Sequence, residues 1–219
     1  MNPLILNFHG VGPVTRPMDD GEYNCWLDQE FFDAVLDLVR DHSHVRLTVD
    51  DGNRSDVTNI LPSLVERGLC AAFFVCSGRI GQADFLDKEN LRELLGAGMT
   101  IGSHGVDHLP WRTLGDAQLR DELVRSKKAL EAACGVTIDE AACPFGSYDR
   151  RVLAALRGAG YRRVYTSDGG ISQSNQRVVP RTTVTRGMSL DDVRTLLVEG
   201  PGVLKQWTIL AKSIVKSLR

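Results

Sequence analysis

Short apolar runs alternate with longer amphipathic stretches along most of this chain. The stretches between the runs repeat apolar residues every three or four positions, which is typical of helices with one buried face. Alternation of this kind favours parallel strands with helices outside, and about seven units favour an incomplete or distorted (β/α) barrel over an open sheet. The short runs predict strands at 4–8, 45–49, 70–75, 99–103, 140–145, 162–167 and 177–184. The amphipathic stretches predict helices at 28–42, 56–67, 90–98, 116–134, 149–160 and 189–200.

No internal repeat, low-complexity tract or long linker interrupts this pattern, so we expect residues 1–219 to form a single domain. The segment from about 203 to 218 predicts a further amphipathic helix, with its lysines off the apolar face. Two interpretations of that helix stay open. It packs on the barrel as a final helix, or it rests on an anionic lipid surface as a peripheral membrane contact.

Composition narrows the class of protein. The chain has 42% hydrophobic and 25% charged residues, which is ordinary for a globular protein, and a net charge of −2, which does not favour nucleic acid as a partner. Five scattered cysteines without a C-x-x-C pair favour reduced thiols over a disulfide framework or a thiolate zinc site. Because the N-terminus lacks a cationic leader and no apolar run is long enough to span a bilayer, we expect a cytoplasmic protein, with membrane association only through the tail helix.

Polar residues follow the predicted strands at the points where those strands end. His9 follows the first strand, Asp50 and Asp51 follow the second, and His104 follows the fourth with His108 shortly after it. The segment CPFGSYD follows the fifth strand. Since active sites of such barrels form at the carboxyl ends of the strands, we expect all these groups on one rim. His42 and His44 precede a strand and are expected on the opposite rim.

The chemistry of these residues indicates a metal site. His104 and His108 are four residues apart, a spacing that presents two imidazoles from one face of a helical turn. A carboxylate from a neighbouring strand end would complete a site of two histidines and one carboxylate with open positions. One of Asp50 and Asp51 would then bind the cation, which offsets their mutual repulsion, while the other stays free as a base. Each feature alone has an ordinary explanation as a turn, a surface pair or a helix cap, and their convergence favours the metal.

Three motifs resemble those of the polysaccharide deacetylases of carbohydrate esterase family four. TVDDG at 48–52 is similar to the family motif T-F-D-D-G, and HGVDH at 104–108 is similar to H-[ST]-x-x-H. ACPFGSYD at 142–149 is similar to the third motif, R-x-P-[YF]. The resemblance covers residues 4 to about 185, with the motifs in the family's order.

This resemblance implies a metal-dependent hydrolase that removes N-acetyl groups from an N-acetylhexosamine-containing glycan or a lipid-linked sugar precursor. It implies Asp50 as the general base and Asp51, His104 and His108 as ligands of a divalent metal, most often Zn²⁺. The backbone N–H of Phe145 and the metal would stabilise the oxyanion. The third motif implies a substrate-binding segment made of Pro144, Phe145, Gly146 and Tyr148.

The chain departs from the family pattern at three points. Gly105 stands where the second motif has serine or threonine, and Ala142 stands where the third motif has the arginine that orients the base. We expect Arg181, at or near the seventh strand, to replace that arginine beside Asp50. The family's late histidine, which acts as the acid, is also missing.

The acid is expected near the N-terminus instead. The poly-N-acetylglucosamine deacetylases, a branch of the family, carry a "YH" motif there, and NFHGV at 7–11 is similar to it. His9 is also the one histidine on the expected rim without another assignment. On both grounds we expect His9 to protonate the leaving amine.

Other functions stay open at this point. An amidase or deformylase acting on a small or lipid-linked non-sugar amide would use the same groups. A protein that keeps the metal and binds glycans without catalysis is the third interpretation. A glycosidase is disfavoured, because the two carboxylates that flank a glycosidic bond normally come from different strands, whereas Asp50 and Asp51 are adjacent.

Overall fold

The computed structural model describes residues 2–18, 21–173 and 175–200, and the strands in this part of the chain form one parallel sheet. The sheet has eight strands in the order β7-β6-β5-β4-β3-β2-β1-β8, and every neighbouring pair is parallel. The predicted fold class, an α/β barrel of parallel strands, is confirmed. The strands are β1 (Leu4–Phe8), β2 (Val45–Asp51), β3 (Ala71–Val75), β4 (Thr100–Ser103), β5 (Glu140–Ala142), β6 (Arg163–Thr166), β7 (Val178–Pro180) and β8 (Thr182–Thr183).

The two edges of the sheet meet through one short segment. β7 pairs with β6 and β8 pairs with β1, and only Arg181 separates β7 from β8 along the chain. The run predicted as a single seventh strand is therefore two short strands with different partners. The change of partner occurs at Arg181. Its N–H still donates to the carbonyl oxygen of Thr166 in β6, and the next residue, Thr182, pairs with Leu6 of β1. The sheet is thereby nearly closed into a barrel.

Helices return the chain from the end of each strand to the start of the next. The helix predicted at 116–134 is present as α4 with the same bounds, and the one predicted from residue 56 begins with a π-helical turn, Asp56–Ile60. A capping box formed by Ser189 and Asp192 starts the last helix. The helices are α1 (Gln29–Val39), α2 (Leu61–Glu66), α3 (Lys88–Gly96), α4 (Asp116–Cys134), α5 (Arg150–Gly158) and α6 (Leu190–Glu199).

Side chains that alternate along each strand separate two apolar regions. Leu4, Leu6 and Phe8 of β1 join the main core between the sheet and the helices. Ile5 points the other way, into the barrel, where it packs with a small cluster completed by Phe74, Ala142, Tyr165 and Val179. Asn7 follows the same alternation and is also directed into the barrel. The interior of the barrel is thus apolar towards the amino ends of the strands and polar near their carboxyl ends.

The two ends of the barrel differ in character. A cavity of about 930 Å³ lies at the amino ends of the strands, with Ile5 and Tyr165 in its wall and His44 at its edge. His44 is therefore on the rim opposite the other predicted histidines, as expected from its place before β2. This cavity contains none of the residues predicted to carry chemistry.

The predicted tail helix at 203–218 lies outside the described residues. Among the helices that the structure describes, none is long and apolar enough to cross a membrane.

Candidate active site

The loops that follow β1, β2, β4 and β5 bring the predicted polar residues together at the carboxyl ends of the strands. Asp50 and Asp51 form the end of β2, and alternation alone would point them to opposite faces of the sheet. The backbone φ of Asp51 is +82°, a left-handed value that is uncommon for a residue with a side chain. This change of direction lets both carboxylates face the same site.

Asp51, His104 and His108 form a cluster in which one ligand atom of each lies within 4.8 Å of the others. The Oδ1 atom of Asp51 is 3.2 Å from Nε2 of His108 and 3.6 Å from Nε2 of His104. Asp51 Oδ1 is also buried, and no hydrogen-bond partner for it is found among the described residues. A buried carboxylate oxygen without a donor, facing two imidazole nitrogens, fits a shared divalent cation.

The orientation of His104 supports this interpretation. Its Nδ1 lies 2.8 Å from the carbonyl oxygen of Ala142, which can only accept a hydrogen bond. Nδ1 is therefore the protonated nitrogen, and Nε2 presents its lone pair to Asp51 and His108. Burial lowers the pKa of His104 to about 4, so the ring is neutral at pH 7, the form that binds a metal.

The segment between the two histidines is not the helical turn that the spacing predicted. Residues 104–108 form an extended bend, in which φ is +81° at Gly105 and +55° at His108. The i, i+4 spacing still brings the rings together, with centroids 5.1 Å apart. The two imidazole rings lie together as predicted. The predicted helical turn was wrong, because Gly105 and His108 have left-handed backbone conformations that bend this loop.

Asp50 lies in a buried polar network beside the cluster. Arg181 donates to both carboxylate oxygens of Asp50 at 2.7 Å, in a bidentate pair. Asn7 also donates to Asp50 at 3.0 Å, and its own amide oxygen accepts from Arg181 and from Thr48. The guanidinium of Arg181 stacks within 5.3 Å of the ring of Phe74, inside the barrel. The structure thus brings Arg181 and Asp50 together.

The network also determines the charge of Asp50. Burial alone would raise its pKa, but the charge of Arg181 and its hydrogen bonds hold the pKa of this carboxyl well below the ordinary value. Asp50 is therefore ionised at neutral pH. Its Oδ2 atom is 3.9 Å from Nε2 of His104, next to the proposed metal ligands and not among them.

His9 lies at the same rim, half-buried. Its Nδ1 is buried and has no hydrogen-bond partner among the described residues. Burial works to raise the pKa of Asp51, but the nearby His108, His9 and His104 hold this pKa below its ordinary value. His9 therefore lies within electrostatic range of Asp50 and Asp51.

The segment after β5 reaches the site through Phe145. This residue has a φ of +56° and is 62% exposed, and its ring lies 4.5 Å from the ring of His108. Tyr148 is buried and donates its hydroxyl proton to Asp168 at 2.6 Å. Pro144 and Gly146 are buried beside it. Of the four residues expected to bind substrate, Phe145 is the one whose side chain is exposed. Tyr148 anchors the segment through its buried hydrogen bond to Asp168.

Three residues of the site were not found by sequence reasoning. Asn7 of β1 and Thr48 of β2 are paired across the two strands. The sequence did mark them, because each is a polar residue inside an otherwise apolar run. Glu122 of α4 is also buried, and it accepts hydrogen bonds from the backbone of the 104–108 loop. In the sequence, Glu122 is an acid on a long amphipathic helix, and nothing there distinguishes it from an acid on the exposed face.

Comparisons with known proteins indicate the family of this chain. The family described as polysaccharide deacetylase matches residues 19–164. The YxkH protein of Bacillus subtilis (strain 168) is 29% identical over 147 residues, which are 66% of this chain and 53% of that protein. The chain thus spans about half the length of this curated relative.

Two solved structures share the fold. The Streptococcus pyogenes deacetylase PplD in complex with acetate has a TM-score of 0.77 at 21% identity, over 88% of this chain and 96% of that one. IcaB from Ammonifex degensii has a TM-score of 0.76 at 19% identity, over 90% of this chain and 97% of that one. At these identities the likeness concerns the fold.

Proposed function

We propose, for a chain that belongs to the polysaccharide deacetylase family, that its site hydrolyses the N-acetyl group of an N-acetylhexosamine in a glycan or a lipid-linked sugar precursor. The observation that carries this proposal is the pairing of an ionised, arginine-held Asp50 with the Asp51, His104 and His108 cluster. A base beside a cation site is one of the arrangements by which enzymes hydrolyse an unactivated amide.

The donor set fits a divalent metal, which we propose to be Zn²⁺. Catalytic zinc sites use three protein ligands of nitrogen and oxygen and leave a position open, and Asp51, His104 and His108 supply such a set. When bound, the metal supplies Lewis-acid polarisation of the acetyl carbonyl and makes water easier to deprotonate.

Asp50 takes the proton of the attacking water in this proposal. Arg181 keeps the carboxylate ionised and fixes its two oxygens, and Asn7 adds a third contact to the same group. A carboxylate held by three contacts loses little freedom when the substrate arrives, which favours the reaction. The backbone N–H of Phe145 is the proposed donor to the oxyanion that forms on the acetyl carbonyl.

His9 is the proposed acid. Breaking the amide requires a proton on nitrogen, and an imidazole is suited to hold one near neutral pH. Its place at the rim, with Nδ1 free of partners among the described residues, supports this role. The exposed ring of Phe145 offers an apolar face against which a sugar ring or an acetyl methyl group can pack.

Acetate release tests this function directly. The protein would be incubated with a panel of N-acetylated oligosaccharides, lipid-linked sugars and small non-sugar amides, each with and without a chelator. We expect acetate from the N-acetylhexosamine substrates only, and its loss with chelator. Release from the non-sugar amides alone would select an amidase, and glycan binding without acetate release would select a non-catalytic glycan-binding protein. The Arg181 pair with Asp50 argues against the latter, since a binding protein has no need of an oriented base.

The tail at 203–218 lies outside the described residues, and from its sequence pattern we propose contact with anionic lipid. Such contact would suit a cytoplasmic enzyme that acts on a lipid-linked precursor. Vesicles that contain anionic lipid should pellet the full chain and not a chain that ends at Gly202. Equal pelleting of both, or pelleting by neutral vesicles, would reject the proposal.

A further inference from the structure

Glu122 is a buried acid that the proposed reaction does not use. It lies on α4, is 4% exposed, and directs its carboxylate at the loop between the two histidines. The N–H of Val106 donates to its Oε2 at 2.9 Å, and the N–H of Asp107 donates to its Oε1 at 3.2 Å. Hydrogen bonds from backbone N–H groups to a buried carboxylate are charge-assisted and therefore strong.

A second residue of α4, Ser126, supports the same loop through Ser103 of β4. The hydroxyl groups of Ser126 and Ser103 are 2.8 Å apart, and the Ser103 hydroxyl oxygen accepts from the N–H of Gly105 at 3.2 Å. Glu122 and Ser126 are one helical turn apart, so both face this loop from α4. Three consecutive amides, those of residues 105 to 107, are thus bound by side chains of β4 and α4. These amides connect His104 to His108.

Gly105 and Glu122 are matched in space. A Cβ atom built on Gly105 would lie 2.6 Å from Oε2 of Glu122 and 3.1 Å from Nε1 of Trp111. The carboxylate of Glu122 therefore takes up the room that a serine or threonine at position 105 would need. The family's serine or threonine hydroxyl is thus absent at Gly105, and the carboxylate of Glu122 from α4 lies where that side chain would be.

We propose that Glu122 is a positioning residue of the metal site, which sets the separation and direction of the His104 and His108 rings by binding the amides between them. The inference rests on the proposed metal site. Residues that orient metal ligands typically change metal affinity by about 10–100-fold when they are replaced.

The test measures metal binding apart from activity. Zn²⁺ affinity would be determined by competition with a chromophoric chelator for the wild type, Glu122→Gln and Glu122→Ala, and Co²⁺ absorption spectra would report the geometry of the ligands. We expect a loss of about 10–100-fold in Zn²⁺ affinity for Glu122→Ala, with an altered Co²⁺ spectrum. Glu122→Gln keeps the shape and one acceptor, so it should fold and show a smaller loss in the same direction.

Glu131→Ala is the matched control. Glu131 lies on the same helix and accepts from the backbone N–H of Ile138 at 3.2 Å, away from the cluster. Its replacement should lower thermal stability without changing Zn²⁺ affinity or the Co²⁺ spectrum. The proposal is overturned if Glu122→Ala and Glu122→Gln bind both metals as the wild type does, or if Glu131→Ala loses affinity equally. A wild type that binds no metal would overturn the proposed metal site itself, which separates the two failures.

Discussion

Replacing Arg181 with methionine should destabilise the protein in a way that depends on pH. The guanidinium is fully buried and donates to Asp50, Asn7 and Thr48, and methionine fills part of its volume without any donor. Asp50 would then be a buried carboxylate that has lost its cation. Breaking a buried ion pair by removing one partner costs about 3–5 kcal/mol. For a chain of this size, that predicts a fall in melting temperature of roughly 6–20 °C at neutral pH.

The effect of pH follows from the pKa of Asp50. In the wild type, Arg181 holds this pKa below its ordinary value, so the pair stabilises the fold above the unfolded pKa of about 3.9 and loses this effect as pH falls. In the variant, burial is no longer opposed by Arg181, so the folded pKa rises above the unfolded value. The variant therefore becomes less stable as pH increases from about 4 to 7. The difference between the two proteins should be largest near pH 7 and narrow towards pH 4.

Thermal and urea unfolding in the presence of a chelator would measure the effect without a contribution from bound metal. Arg163→Met is the matched control, because Arg163 is half exposed on the neighbouring strand and pairs with Glu140 at 3.0 Å. Its loss should cost less than about 1 kcal/mol. Asp50→Asn combined with Arg181→Met removes the unpaired charge and should recover stability relative to Arg181→Met alone. A double variant no more stable than the single one, or an Arg181→Met loss as small as that of Arg163→Met, would refute the reasoning.

Three further predictions concern catalysis and the metal. Asp50→Asn should retain the metal and lose deacetylation by orders of magnitude, because it removes the proposed base and no proposed ligand. Metal analysis would check the first outcome, and acetate release would check the second. His9→Ala should bind metal normally and hydrolyse N-acetyl groups poorly, yet be less impaired on an activated acetate ester, whose phenolate leaves without a proton; equal loss on both substrates would contradict its role as the acid. The wild type should contain about one equivalent of metal per chain by elemental analysis, and a variant with both His104→Ala and His108→Ala should contain none; undiminished metal in that variant would exclude these ligands.

Much of the fold could be predicted because its signals are local. Apolar runs located the strands to within a few residues, and the bounds of α4 followed from its periodicity and the glycine after it. The division of the last predicted strand at Arg181 could not be predicted, because it depends on which strand each half meets. The loop at 104–108 was predicted as a helical turn because four-residue spacing usually means one, and the left-handed φ values of Gly105 and His108 are the reason that it is not.

The candidate site was predictable where chemistry and position coincide. The predicted residues at strand ends are polar, namely His9, Asp50, Asp51, His104 and His108. Arg181 was predicted because Ala142 stands where the third motif of the family has arginine. The supporting residues were harder to find, because their partners are distant in sequence. Asn7 meets Thr48 across 41 positions, and Glu122 meets Val106 across 16. Asn7 is marked only as a polar residue inside an apolar run, and Glu122 is not distinguished from an exposed acid by its local sequence.

Arg181, between β7 and β8, makes the orientation of Asp50 depend on how far the chain has folded. Arg181 reaches Asn7 across 174 positions, so β7 and β8 close the barrel against β1 from a distant part of the chain. Contacts of such long range form late, because the entropy of closing the intervening loop must be overcome first. Until that closure, Asp50 has no guanidinium to hold it. On the proposed mechanism, a chain in which the barrel has not closed would therefore lack an oriented base.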